Sequence, residues 1–394
     1  MKGWWPVVIV LVLAVAVAFA RGCGRNSPAA PKSGTNSPAA STSPGGTAPK
    51  GGARSSATPT PSIPPPPTPT PTVLTGANLS LADQEGKIVV YAATDKLALM
   101  NLLEAFSYRF PAVDTTDFYA APASQLVPRL LAEMSAGTAN VDVVALPNMA
   151  AVADFQKRGY WLSYRSPEYA AYSPKFKSNP EGFWAAYKVD AIVPAWSPRF
   201  VLDSDAPRSW SDLLNPIWKG QLAFADAAPP DQLTQWYVLR QTIGADYWDR
   251  LAKNAPKAFP SPDAMAAALT SGKQKIGGQM SLAALSRLKR KGVGLTSNVP
   301  QEGAPLSMEA AGILKSTERP NAAKLFLDYL LSPQGQRKLA VEGLGGYSAR
   351  SDVDPPPGLP KLDSFKGLVP ADWSDYAASS RDFAAVWVKI IAEE

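Results

Sequence analysis

Residues 86 to 110, GKIVVYAATDKLALMNLLEAFSYRF, restrict the possible folds more than any other stretch of this chain. Ile88, Val89, Val90 and Tyr91 make a short apolar run of β-formers, and Leu97, Leu99, Leu102, Leu103 and Phe106 then recur near helical spacing. That is the pattern of a buried strand feeding a helix. The linking Ala92-Ala93-Thr94-Asp95-Lys96 is small and polar, which puts Thr94 or Asp95 at the helix N-cap. In open α/β sheets such a turn lies at the carboxyl end of its strand, where helix N-termini leave unpaired N–H groups and ligands tend to bind. Ordinary capping accounts for the same residues.

The chain begins with Met1, Lys2 and Gly3, followed by an apolar run from Trp4 to Ala20 closed by Arg21, Gly22 and Cys23. Residues 1–23 therefore read as an export signal. The run also approaches the minimum length that spans a bilayer, so an uncleaved anchor fits the same residues. Cys23 is the only cysteine in 394 residues. Its position resembles a bacterial lipoprotein signal, in which the cysteine becomes a lipidated N-terminus, although Arg21 departs from the small or apolar residue of that motif. Residues 24–78 then turn to Pro, Ser, Thr, Gly and Ala, which have little to bury, and read as a disordered tether with a stiffer proline-rich end. Such a coil reaches on the order of 40 to 100 Å.

Charge divides at the same place. The whole chain has 39 Lys plus Arg against 33 Asp plus Glu, but Lys2, Arg21, Arg25, Lys32, Lys50 and Arg54 precede Ser80 without any acid. The rest is balanced. The basic excess belongs to the tether, where it suits an anionic membrane surface, and points to no nucleic-acid partner.

From residue 79 onward strand-like and helical runs alternate, the pattern of α/β layers around a largely parallel sheet. A helix at 124–135 with Ser124 as its cap, a strand at 141–146 and a helix opened by Pro147-Asn148 follow the first unit. Two β-rich runs, 187–196 and 304–315, are candidate connections between two lobes. Lobe 1 then covers about 79–190 and 303–394, and lobe 2 about 198–300. Lobe 2 would hold strands at 221–226 and 275–278 with a helix at 233–243. Helices at 319–335 and 373–391 return to lobe 1.

Several blocks together resemble a known family. GKIVVYAATD, PRSWSDLLNPIWKGQLAFAD at 207–226, QEGAPLSMEAAGILKSTERPNAAKLFLDYLLSPQGQ at 301–336 and the aromatic C-terminal helix are similar, in order, to the solute-binding proteins of ABC importers. The group that includes ferric-iron-, phosphonate- and thiamine-binding members is the nearest. The resemblance spans roughly 86 to 394. It implies a periplasmic-binding-protein-like fold of two α/β lobes joined by crossover strands, closing by hinge motion on a small-molecule solute and presenting it to a membrane permease. The exported, membrane-tethered location fits that role, as does a monomer.

The chain has no histidine, and Cys23 is its only thiol, which removes Ser-His-Asp and Cys-His nucleophilic arrangements and the usual zinc sites. No catalytic residue and no cofactor is expected. An exported hydrolase using a carboxylate pair drawn from Asp95, Asp226 and Glu302 stays open as an alternative. For binding, the polar turns after strands matter most: Thr94, Asp95, Ser124, Asn148, Asp226, Gln279 and Ser281 each stand near an expected helix start. Separate helix N-termini facing one cleft favour an anion such as a phosphonate or phosphate ester. Trp196 ends the first connecting strand, where it stacks on a ligand or packs the hinge, and Glu302 precedes the second. The ferric-binding relatives place two neighbouring tyrosines after the strand at 275–278. Here the residues are Gly278-Gln279-Met280-Ser281, and no Tyr-Tyr pair occurs anywhere, so a metal site is not expected; a ferric-iron-binding transport protein lacking that pair, holding iron through carboxylates and a bound anion, stays open as an alternative.

Overall fold

The computed structural model describes residues 75–226 and 230–392. Cys23, the export signal and nearly all of the tether lie outside the described residues. Among those that are described, no helix is long and apolar enough to cross a membrane.

Among the described residues ten strands follow in chain order: β1 (Val90–Ala92), β2 (Phe118–Ala120), β3 (Val143–Leu146), β4 (Ala185–Trp196), β5 (Leu222–Ala225), β6 (Lys257–Phe259), β7 (Ile276–Ser281), β8 (Thr296–Ser297), β9 (Ala304–Ile313) and β10 (Gly367–Leu368). They join in the order β2-β1-β3-β9-β4-β7-β5-β6, with β10 on β9 and β8 on β4. At one end β1 runs parallel to β2 and β3; at the other β5 runs parallel to β6 and β7. Parallel neighbours need crossover connections, and helices supply them in both groups. Between the groups, β4 and β9 run antiparallel. Ala185 to Ala191 of β4 pair with β9, and Ile192 to Trp196 of the same strand pair with β7. A single strand thus belongs to both groups. This is the expected two-lobe α/β architecture, with β4 as a physical link between the lobes.

The opening unit forms as its pattern requires. Asp95 caps helix Lys96–Arg109 by accepting the Ala98 N–H at 2.9 Å, and Ala98, Leu99, Leu102, Leu103 and Phe106 face the core. Leu97 departs from the expected apolar face and is 65% exposed, because it lies about 200° around the helix from Leu99. Ser124 is not a cap either. Pro122 takes that position ahead of helix Ala123–Ser135, its preset φ turning the chain and its carbonyl accepting from the Gln125 and Leu126 N–H groups. Further on, β7 extends past Gly278 to Ser281 because Ile192 and Val193 of β4 continue the pairing. That extension puts Gln279 inside a strand.

The core of the second lobe is aromatic on one face and small on the other. Phe224 packs edge-on against Trp248 and Trp387, while Ala223, Ala225, Met265, Leu269 and Met280 pack beneath helices Pro262–Thr270 and Leu282–Arg290. Gly278 admits the Phe224 ring: a Cβ there would stand 2.0 Å from Phe224 Cζ. Trp387 comes from helix Trp373–Ala392, which does more than return to the first lobe. Its start sets Trp373 against Trp184, Tyr376 shares a 2.9 Å hydrogen bond with Thr234, and Trp387 Nε1 donates to the Ala225 carbonyl. The helix therefore fastens to both lobes.

Candidate functional site

The place where β4 passes from one lobe to the other carries two charged residues in an otherwise apolar strand, Lys188 and Asp190. Alternation along a strand puts positions 188 and 190 on one face. Lys188 Nζ is 2.8 Å from Glu309 Oε1 on β9, and the Tyr187 phenol donates to Glu309 Oε2 at 2.7 Å. The Lys188 stem crosses Gly346, where a Cβ would come within 2.7 Å of Lys188 Cε. Asp190 reaches into the second lobe instead: its Oδ1 accepts the N–H of Ala283 at 3.2 Å, in the first turn of helix Leu282–Arg290. Ser281 completes that cap by accepting the Ala284 N–H at 3.1 Å. A hinge-strand carboxylate is thus bonded to the helix that forms one wall of the site.

Above these residues opens a cavity of about 540 Å³, lined also by Arg287, Arg290 and the 341–345 segment. Gly343 in that segment packs on Ala98, one turn into the helix that follows β1. Both lobes therefore contribute walls. The lining holds three cations, Lys188, Arg287 and Arg290, against the acids Asp190 and Glu342. Asp190 is already engaged by backbone N–H groups, and Arg287 pairs with Asp263 at 3.0 Å. Arg290 has Ser286 as a partner and no ion pair among the described residues. Two phenols of the neighbouring core, Tyr187 and Tyr347, are buried outside the lining. Burial, reinforced by the Glu309 carboxylate, holds Tyr187 well above the usual tyrosine range, and burial followed by the nearby Asp190 raises Tyr347. Both stay neutral at ordinary pH. The Tyr347 hydroxyl is buried and has no hydrogen-bond partner among the described residues. With three cations to two acids in its lining, the pocket suits an anion better than a cation.

The nine residues singled out from sequence do not converge on one point. Ser281 lines the cavity. Thr94 sits beside the buried Tyr187 phenol, outside the cavity lining, and its own Oγ1 makes no hydrogen bond of normal geometry. Asp95 caps its helix, and Ser124 is exposed in a first turn. Asn148 caps helix Met149–Lys157 and faces a separate groove beside the C-terminal helix. Trp196 is buried at the end of β4, its indole N–H unpartnered among the described residues. Asp226 adjoins the undescribed residues 227–229; its backbone N–H donates to Phe259. Gln279 clips two strands together by accepting the Ala225 N–H at 3.2 Å. Glu302 uses both oxygens on the backbone of Trp210 and Ser211. Lys188 and Asp190 carry the sequence signal instead: two charges two apart interrupt the apolar run YKVDAIVPAW of a strand that is otherwise buried.

Comparison with known proteins agrees with this architecture. Residues 141–375 match the family described as bacterial extracellular solute-binding protein. A probable ABC transporter periplasmic-binding protein, y4fP of Sinorhizobium fredii (strain NBRC 101917 / NGR234), is 28% identical over 220 residues, 53% of this chain and 60% of that relative's length. Iron-bound HitA from Pseudomonas aeruginosa superposes with a TM-score of 0.66 at 18% identity, over 76% of this chain and 98% of its own. AfuA from Actinobacillus pleuropneumoniae, with fructose-6-phosphate bound, gives 0.64 at 23% identity over 78% and 99%. IdiA (FutA) from Trichodesmium, in complex with iron and citrate, gives 0.67 at 20% over 77% and 99%. At these identities the solved structures establish the shared fold; what each binds is a property of that protein.

Proposed function

The chain belongs to the bacterial extracellular solute-binding proteins, and from that premise we propose that it captures a small organic anion, such as a phosphonate or phosphate ester, between its lobes and delivers it to an ABC permease. The observation that carries this reading is the cavity at the β4 crossover, where Lys188, Arg287 and Arg290 outnumber Asp190 and Glu342 and where both lobes supply walls. The chemistry is binding and release, without turnover. Closure shifts a population toward the closed state by as much as the solute prefers that state. In this reading the lobes divide near residues 190–198 and 300–303, and the N-terminal residues carry export and membrane attachment, through a lipid at Cys23 or an uncleaved anchor.

Ferric iron is the less favoured cargo. Gln279, Met280 and Ser281 occupy the stretch where the resemblance would put a tyrosine pair, and the described residues contain no group of three or more His, Cys, Asp or Glu placed to hold a metal ion. A hydrolase is weaker still, since both Glu302 oxygens are committed to backbone N–H groups. A thermal-shift screen of inorganic phosphate, phosphonates, sugar phosphates and ferric citrate tests the proposal. Organic anions should stabilise the protein; stabilisation by ferric citrate alone would overturn the choice of ligand.

A further inference from the structure

A second cavity adjoins the first. It measures about 500 Å³ and lies on the other side of helix Leu282–Arg290, between that helix, β8 and the segment 357–360. The two cavities share Arg290 and Pro357. Together they offer about 1,000 Å³. A bare phosphate displaces only a few waters, on the order of 100 Å³ at roughly 30 Å³ per water, so most of the space would stay wet around an inorganic anion.

The two spaces differ in chemistry. The first is lined by charged residues of both signs and by helix and strand termini. The second is walled by Leu282, Leu285, Leu295, Val299 and Leu359, and it contains Lys289 and Arg290 without an acid. The helix between them explains the contrast: Ala283, Ala284 and Arg287 turn toward the first cavity while Leu282, Leu285 and Lys289 turn toward the second. The segment 356–360 walls both in turn, Pro356 and Pro357 the first and Pro357-Gly358-Leu359-Pro360 the second. Its prolines carry no N–H and hold fixed φ angles, so ordering that wall around a ligand costs little. Asn298, also in the lining, donates Nδ2 to the Pro207 carbonyl at 2.8 Å, and its Oδ1 is buried without a partner among the described residues. That oxygen is an acceptor waiting for a donor.

We propose that the solute is an elongated organic anion, a phosphate or phosphonate whose head lies over Lys188 and Arg290 and whose carbon skeleton, bearing a hydroxyl or similar donor, extends past Arg290 into the second cavity. This rests on the anion reading above and adds the class and length of the ligand. Arg290, at the junction, pairs with the head while its stem and Pro357 line the passage.

Titration calorimetry on the full chain tests it with inorganic phosphate and a series of ω-hydroxyalkyl phosphates of two, four and six carbons. Affinity should rise at least tenfold from two carbons to six. In Leu359→Asp, and independently in the exposed Lys289→Glu, the six-carbon member should fall to the affinity of the two-carbon member. Phosphate binding with a flat series overturns the second-cavity assignment and leaves the anion reading standing. A rising series untouched by both variants overturns the location of the tail. Failure of phosphate and of every ester to bind overturns both the anion reading and this extension of it.

Discussion

Replacing Asp328 tests how the start of the described domain is held. Asp328 lies in helix Pro320–Leu331 and is fully buried, yet its carboxylate accepts from Ser166 Oγ, from the Tyr164 phenol at 2.6 Å, from Thr75 Oγ1 at 2.7 Å and from the Gly76 N–H at 3.1 Å. Asp328→Ala removes every acceptor at once. Thr75 and Gly76 can turn to water, but Ser166 is buried and the Tyr164 hydroxyl is partly so. Each buried donor left without a partner costs about 1–3 kcal/mol, so the substitution should cost about 3–5 kcal/mol, measured by urea unfolding. Asp328→Asn keeps one carbonyl oxygen and should cost far less. Its pH dependence has a definite sign. Burial raises the Asp328 carboxyl above its ordinary range despite the four hydrogen bonds. A raised folded pKa means that this group's contribution is full below the ordinary carboxylate range and is lost as pH rises through the folded value. Wild type should therefore lose ground to Asp328→Asn across that window. An alanine cost below about 1 kcal/mol, or a gap moving the other way, would refute the reasoning.

Three further outcomes follow from other sites. Gly278→Ala drives a methyl into the Phe224 ring, which Trp248 and Trp387 prevent from yielding; it should cost about 1–3 kcal/mol by calorimetry, partly recovered by adding Phe224→Leu, and additive effects would contradict this. Arg350→Ala leaves Glu168, 2% exposed, without its guanidinium, and should lower stability by about 3–5 kcal/mol; a near-neutral result in chemical denaturation would mean the pair is more solvated than its burial indicates. Lys188→Ala should weaken organic-anion binding at least tenfold by calorimetry, because it removes a cation from the floor and leaves Glu309 facing the solute; unchanged affinity would move the head group elsewhere.

The fold was more legible than the site. Strands such as β1 and β4 announce themselves because both their faces are buried, so the sequence shows a continuous apolar run, and Asp95 marks a helix start because its side chain has a local partner. The connecting role of β4 was visible in the same way. Boundaries failed where a neighbour decided them: Pro122 displaced Ser124 as the cap, and pairing with β4 drew Gln279 into β7. Site residues were harder because capping and ligand binding call for the same side chains. Asn148 and Glu302 satisfy backbone N–H groups, and nothing in their immediate sequence separates that use from contact with a solute. Lys188 and Asp190 were readable in principle. Their signal is a violation of the pattern around them rather than a motif.

In the proposed cycle the two lobes close around an organic anion. The most direct measurement of that closure is the distance between spin labels placed across the cavity in a Cys23→Ser background, which otherwise has no thiol. Met100→Cys, on the helix after β1, and Lys291→Cys, just beyond the opposite wall helix, are both exposed. Saturation with the tightest-binding hydroxyalkyl phosphate should shift the distance distribution to shorter values. A distribution that stays unchanged while calorimetry shows the ligand fully bound would contradict the account.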